Sequence, residues 1–203
     1  SGKDSMKNDY RMGDVKISVP PTLLITAMGK VHDVRSVPRG YAVADPNPRT
    51  ILWVSGQEIV PTPLGLPRVD FERTYRFLSA LYGLIRNGRI ESAHDVSDGG
   101  WLVATAEMLF GTGVGANLEF NLSDLRAGEP DWAALFGEPA TSFVLIVRED
   151  DLDLVREGLA GFTVIDVGRT VVLDPLASDS PDLENEPPRL KIRVKIGNDK
   201  TLQ

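Results

Sequence analysis

Ser92-Ala-His-Asp-Val-Ser-Asp-Gly-Gly100 decides how this chain is read. It sets a histidine, two aspartates, a serine and two adjacent glycines between two segments of helical periodicity. On its N-terminal side Phe71, Tyr75, Leu78, Tyr82 and Ile85 recur every three or four residues. That spacing predicts a helix over 71–89 with those side chains, including both tyrosines, facing the core. On its C-terminal side Trp101, Thr105, Met108 and Leu109 share one face of a second helix. Ser97 or Asp98 is the expected N-cap of that helix. Gly99 and Gly100 then open its first turn, where free backbone N–H groups and the positive end of the helix dipole point outward. Glycine lets a ligand approach the backbone closely, so the turn forms a seat for a phosphate. Asp95 and Asp98, two carboxylates within four residues, suit a magnesium ion beside it. The same string also fits an ordinary loop running into a capped helix, and spacing alone does not separate the two readings.

Composition narrows the field. With 42% hydrophobic and 25% charged residues in 203, the chain is globular and long enough for one sizeable core or one domain with extensions. The absence of cysteine excludes disulfides, thiolate metal sites and the nucleophile a glutaminase module needs. A net charge of −7 argues against nucleic acid as a partner. No apolar run reaches membrane-spanning length and no signal segment opens the chain, so a soluble cytoplasmic protein with no membrane partner is expected. Residue 1 is not methionine, and the chain is read as a fragment of something longer.

Outward from the central stretch, the N-terminal arm 1–19 is polar. Lys3, Asp4 and Ser5 could serve a phosphate and its metal, or the arm could simply be solvated; the Walker spacing is missing. Thr22–Val31 reads as a buried strand and Thr50–Ser55 as a second, with a proline-rich connection over 56–69. Asp70 caps the helix that ends near Gly88. The Gly111–Gly115 cluster follows a helix and precedes a strand, the wrong order for a dinucleotide loop, and is a C-cap and turn. Val114–Phe120 is a strand, Trp132–Phe136 a helical turn and Phe143–Val147 another strand. A helix capped by Asp150 or Asp151 follows, with Leu152, Val155 and Leu159 on one face and Gly161 at its end. Phe162–Val167 and Thr170–Leu173 are expected as two further strands.

This alternation predicts an α/β (α+β) fold, a mixed sheet with helices packed on it, in which 143–167 is half of a ferredoxin-like unit. Residues 177–188 are an acidic, proline-rich linker. Leu190–Ile196 alternates strictly and is either an added edge strand or, the favoured reading, the first strand of a following domain. The expected divisions are 1–19, 20–175 and 176–203.

His94-Asp-Val-Ser-Asp-Gly-Gly100 with the helix Trp101–Met108 resembles the C-terminal-domain signature of the aminoimidazole ribonucleotide synthetase superfamily. Within it, the resemblance is to the phosphoribosylformylglycinamidine synthase family. Ser1-Gly-Lys-Asp-Ser-Met6 is similar to the segment joining the N- and C-terminal domains in the second half of such synthases. The resemblance runs from residue 1 to about Val172. It implies a carbon–nitrogen ligase of purine biosynthesis that uses ATP and magnesium to activate the formyl amide oxygen of formylglycinamide ribonucleotide, which ammonia from glutamine then displaces. It implies nucleotide or phosphate contacts at Lys3, Asp4, Ser5, His94, Ser97, Gly99 and Gly100, and metal contacts at Asp95 and Asp98. His94 is expected to position a ligand oxygen, and no general base is assigned. Phe136–Phe143 is similar to a family segment near the substrate, which makes Glu138 and Ser142 substrate-side candidates, although Pro139 stands where serine is commoner. The implied partners are a preceding N-terminal domain, a glutaminase domain or subunit, and the ribonucleotide. The nucleotide is either reactive ATP or structural ADP. The rival reading is a non-catalytic nucleotide-binding or subunit-docking module, and these 203 residues alone are expected to lack synthase activity.

Overall fold

The computed structural model describes residues 9–18, 24–57, 69–120, 131–173, 192–196 and 200–202. The chain divides into two units, Ser1–Val34 and Arg35–Gln203. In the first, strands β1 (Tyr10–Met12) and β2 (Val15–Ile17) form an antiparallel hairpin turned at Gly13, whose φ is +58°. The strand expected at Thr22–Val31 does not form in its described part, 24–31. Leu24, Ile25 and Met28 are exposed there, so the segment lacks the burial that a buried strand requires.

The second unit is built on β3 (Thr50–Ser55), buried at every position. Its neighbours complete a sheet in the order β4 (Ser92–Asp95), β6 (Ser142–Val147), β3, β7 (Thr163–Val172), β5 (Val114–Phe120), β8 (Ile192–Ile196), β9 (Lys200–Leu202). Pairing is antiparallel from β4 through β5, and β5–β8 is parallel. The helices are α1 (Phe71–Arg86), α2 (Gly100–Leu109), α3 (Asp131–Phe136) and α4 (Leu152–Gly158). The β3–α1–β4 and β6–α4–β7 crossovers each leave one strand between their ends. Together they make a ferredoxin-like unit, of which the run over 143–167 is one half, as expected, and β3–α1–β4 the other. The segment from α2 through α3 is inserted between its two halves.

Alternation along the central strands makes two cores. Ile51, Trp53, Val144 and Ile146 face α2 and α3, while Leu52, Val54, Leu145 and Val147 face α1 and α4. Trp53 stacks on Trp101 with ring centroids 6.2 Å apart.

Two expectations are corrected here. In α1 the core face is Phe77, Leu81 and Leu84, whereas Phe71, Tyr75, Leu78 and Tyr82 are exposed and Ile85 is half-buried. The helix carries two apolar stripes. The Phe77 side chain lies where a Cβ on Gly56 would meet it at 2.8 Å, and its ring contacts Phe143 and Phe162, so packing favours the second stripe. The two strands expected over 162–173 are one, β7. Its pairing with β3 shifts register between Ile51 and Leu52, and Gly168 (φ +148°) takes up the irregularity. Asp166 holds the shifted stretch, accepting hydrogen bonds from the Gly168 amide and the Arg169 guanidinium. The tail strand β8 pairs parallel to β5, whose outer side offers an open ladder of backbone groups, and β9 continues the sheet beyond it.

The α4 start also differs. Asp151 makes no capping bond but is buried, gripped by Arg89 at 2.8 Å and Arg148 at 2.7 Å. Burial opposes the charge of this carboxylate, but the two arginines outweigh it and hold its pKa below the ordinary 3.8.

Candidate functional site

The central stretch runs from an edge strand into a helix. Ser92 to Asp95 are β4, paired on one side with β6 so that Asp95 stands opposite Phe143. The chain then turns through Val96, Ser97 and Asp98 into α2. That turn is fastened at three points to the stretch from the end of α3 to the first residue of β6. The Val96 amide donates to the Ser142 carbonyl at 2.9 Å. The Gly99 amide donates to Glu138 Oε1 at 2.9 Å. Gly100 lies against the backbone of Phe136 and Gly137, where a Cβ would come within 2.6 Å of the Phe136 carbonyl carbon. The structure thus brings His94, Asp95, Ser97, Asp98, Gly99, Gly100 and Glu138 into one neighbourhood, although Glu138 is 39 residues from Gly99.

The N-cap of α2 is Gly99, with φ +85° and no side-chain capping bond, in place of the expected Ser97 or Asp98. Both glycines are left-handed, a conformation that costs other residues about 1–2 kcal/mol. The amide of Gly99 is taken by Glu138 and that of Gly100 by the Ser97 carbonyl at 3.1 Å. A phosphate oxygen reaching Gly99 therefore has to replace the Glu138 carboxylate.

His94 is half-buried. Its Nδ1 lies 2.7 Å from its neighbour's carbonyl oxygen, and its Nε2 lies 3.7 Å from Glu107 Oε2. Glu107 sits on the polar side of α2 and was not singled out in the sequence; no local spacing links it to His94. Asp95, Ser97 and Asp98 are exposed. Among the described residues no three His, Asp or Glu side chains converge on one metal position. Two carboxylates offer the hard oxygens magnesium takes, and a complete shell needs oxygens from a ligand or water.

Ser142 is buried: its hydroxyl donates to the Val54 carbonyl and accepts from Trp53 Nε1 at 2.6 Å. Both bonds lie inside the sheet, and none reaches the surface where Glu138 stands. Thr141, also missed in the sequence, has φ +56°, a strained state for a β-branched residue worth about 1–3 kcal/mol. Its carbonyl accepts from the Gly56 amide at 2.9 Å, which ties the Glu138 segment to the end of β3. Lys3, Asp4 and Ser5 lie outside the described residues.

Residues 48–174 match the family described as AIR synthase related protein, C-terminal domain. The PurL subunit of phosphoribosylformylglycinamidine synthase from Salinibacter ruber is 30% identical over 209 residues, covering 93% of this chain and 27% of that protein. The Deinococcus radiodurans subunit is 31% identical over 167 residues, covering 73% and 21%. The chain therefore spans about a fifth to a quarter of these relatives. In fold it is similar to PurLQS from Thermotoga maritima (TM-score 0.61, 18% identity, 83% of this chain and 27% of that one). It is likewise similar to Thermotoga maritima PurL complexed with ATP (TM-score 0.57, 18% identity, 83% and 27%) and with FGAR (TM-score 0.58, 18% identity, 83% and 29%).

Proposed function

The chain belongs to the AIR synthase related family, C-terminal domain, and on that premise we propose that it forms one wall of the nucleotide and ribonucleotide site of a phosphoribosylformylglycinamidine synthase. The observation that carries the reading is the convergence at the start of α2. There Gly99 is bonded to Glu138, and the exposed carboxylates of Asp95 and Asp98 lie within four residues of it. The relatives are PurL subunits, and the similar solved structures include complexes with ATP and with FGAR, ligands that fit such a wall.

The charge of the site sets its chemistry. Asp95, Asp98, Glu107 and Glu138 make the neighbourhood acidic, so a nucleotide polyphosphate is repelled unless a cation accompanies it. Asp95 and Asp98 would hold that magnesium ion, whose role is to neutralise phosphate charge. The Gly99 amide, at the positive end of α2, is the donor available to a phosphate oxygen once Glu138 swings away. His94 orients a ligand oxygen from its place beside Asp95. The rest of the reaction site, the ammonia-supplying glutaminase and the Lys3-Asp4-Ser5 contribution belong to the same proposal. PurLQS among the similar structures supports the glutaminase, and the Lys3-Asp4-Ser5 contribution rests on the resemblance of residues 1–6 alone.

Calorimetric titration of magnesium-ATP and of formylglycinamide ribonucleotide into the chain tests this. Binding of either, weakened by more than about tenfold (1.4 kcal/mol) in Asp95→Ala or Asp98→Ala, is the expected result. Binding that both variants leave unchanged, or no binding by the folded chain, refutes it and favours a subunit-docking module.

A further inference from the structure

We propose that α1 is a self-association surface, on which a second copy of this chain packs its own α1 antiparallel. The stripe expected in the core lies outside it: Phe71, Tyr75, Leu78 and Tyr82 are 82%, 73%, 41% and 53% exposed. Their spacing of four, three and four is that of a two-helix seam, and half-buried Ile85 continues it by three. Such a run of large apolar side chains is unlike the scattered single residues of an ordinary surface. Scaling the roughly 150–250 Å² of an aromatic side chain by these exposures gives about 500 Å² for the stripe. Two such faces bury about 1,000 Å², the lower bound for specific association.

The flank of the stripe selects the occupant. Glu72, Ser79 and Arg86 are all exposed and lie along one side at intervals of seven residues, with acid in the first turn and base in the last. An antiparallel copy in the register that sets Leu78 opposite Tyr82 of the second copy also sets Tyr75 opposite its Ile85. The same register places Glu72 beside the second copy's Arg86 at both ends and the two Ser79 side chains near the two-fold axis. The acidic start of each helix meets the basic end of the other, and the helix dipoles oppose. Arg86 already lies over the Tyr82 ring at 5.8 Å, at the edge of the seam. The surface is complementary to itself, so the contact closes as a dimer rather than extending as a fibre.

Sedimentation of the chain at near-physiological salt, from about 1 to 200 μM, tests the proposal. A concentration-dependent monomer–dimer equilibrium is expected. Glu72→Arg and Arg86→Glu should each weaken it about tenfold, the double reversal should return it to within about threefold, and Leu78→Arg should abolish it. All these positions are exposed, and near-ultraviolet circular dichroism checks that each variant stays folded. A chain monomeric throughout, a dimer indifferent to Leu78→Arg, or a double reversal that fails to rescue would each overturn the proposal.

Discussion

Replacing Gly100 by alanine separates the two things a glycine can do at the start of α2. If it were needed only to let a ligand approach, the unliganded chain would tolerate the methyl group. In the structure the added Cβ meets backbone: Phe136 C at 2.6 Å, Phe136 Cα at 2.7 Å and the Gly137 carbonyl oxygen at 2.8 Å. Backbone moves only with its neighbours, so the overlap costs about 1–3 kcal/mol. The left-handed φ of +77° adds about 1–2 kcal/mol, for a total of about 2–5 kcal/mol. Two other glycines calibrate the effect. Gly88 has φ +67° and open space around its missing Cβ, so Gly88→Ala should cost only about 1 kcal/mol. Gly99→Ala would meet Val103 Cγ2 at 2.7 Å, a side-chain end that can rotate, and should fall between. Urea unfolding followed by tryptophan fluorescence reads all three, since Trp53 and Trp101 are buried in the core next to α2. If Gly100→Ala loses no more stability than Gly88→Ala, the close approach of α2 to the 136–137 backbone is not what the glycine serves.

Other consequences can be checked by the same unfolding assay. The folded pKa of Asp151 is lowered, so its contribution is complete above about pH 4 and is lost as pH falls through the folded value. Asp151→Asn should therefore lower stability at pH 7 by about 1–3 kcal/mol and flatten the fall below about pH 4; an unchanged acid limb would contradict the pairing. Ser142→Ala strips the acceptor from the buried Trp53 Nε1 and should cost about 1–3 kcal/mol, seen as a lowered urea midpoint. In Gly168→Ala the Cβ would collide with the Asn117 carbonyl oxygen, so the β5–β7 pairing should open. Hydrogen exchange at the amides of β5 would report it, and unaltered protection would tell against that close approach.

What could be read in advance follows from how local the physics is. Asp70 was legible as a cap because its job, accepting from the Arg73 amide at 2.9 Å, needs only the residues beside it. The α2 face of Trp101, Thr105, Met108 and Leu109 was legible because its large residues recur at helical spacing within one short segment, and all four are buried. Helix α1 offers two apolar stripes, and the choice between them depends on Gly56, distant in sequence from Phe77 and adjacent in space. The break imagined at Gly168 is a place where β5 presses close, a fact no neighbouring residue announces. The candidate site shows the same division. The signature 94–100 and the segment 136–143 each stood out alone, but the Gly99–Glu138 bond, the strain at Thr141 and the nearness of Glu107 to His94 exist only once the sheet is folded.

The most direct test of the nucleotide-wall reading is an amide spectrum of the isotope-labelled chain, titrated with magnesium-ATP. Displacement of Glu138 by a phosphate oxygen predicts that the Gly99 amide shifts most, with Gly100 and Asp98 following, and that Glu138→Gln moves the Gly99 resonance before any nucleotide is added. A Gly99 resonance that stays fixed while nucleotide saturates the chain would contradict the account and place the ligand elsewhere.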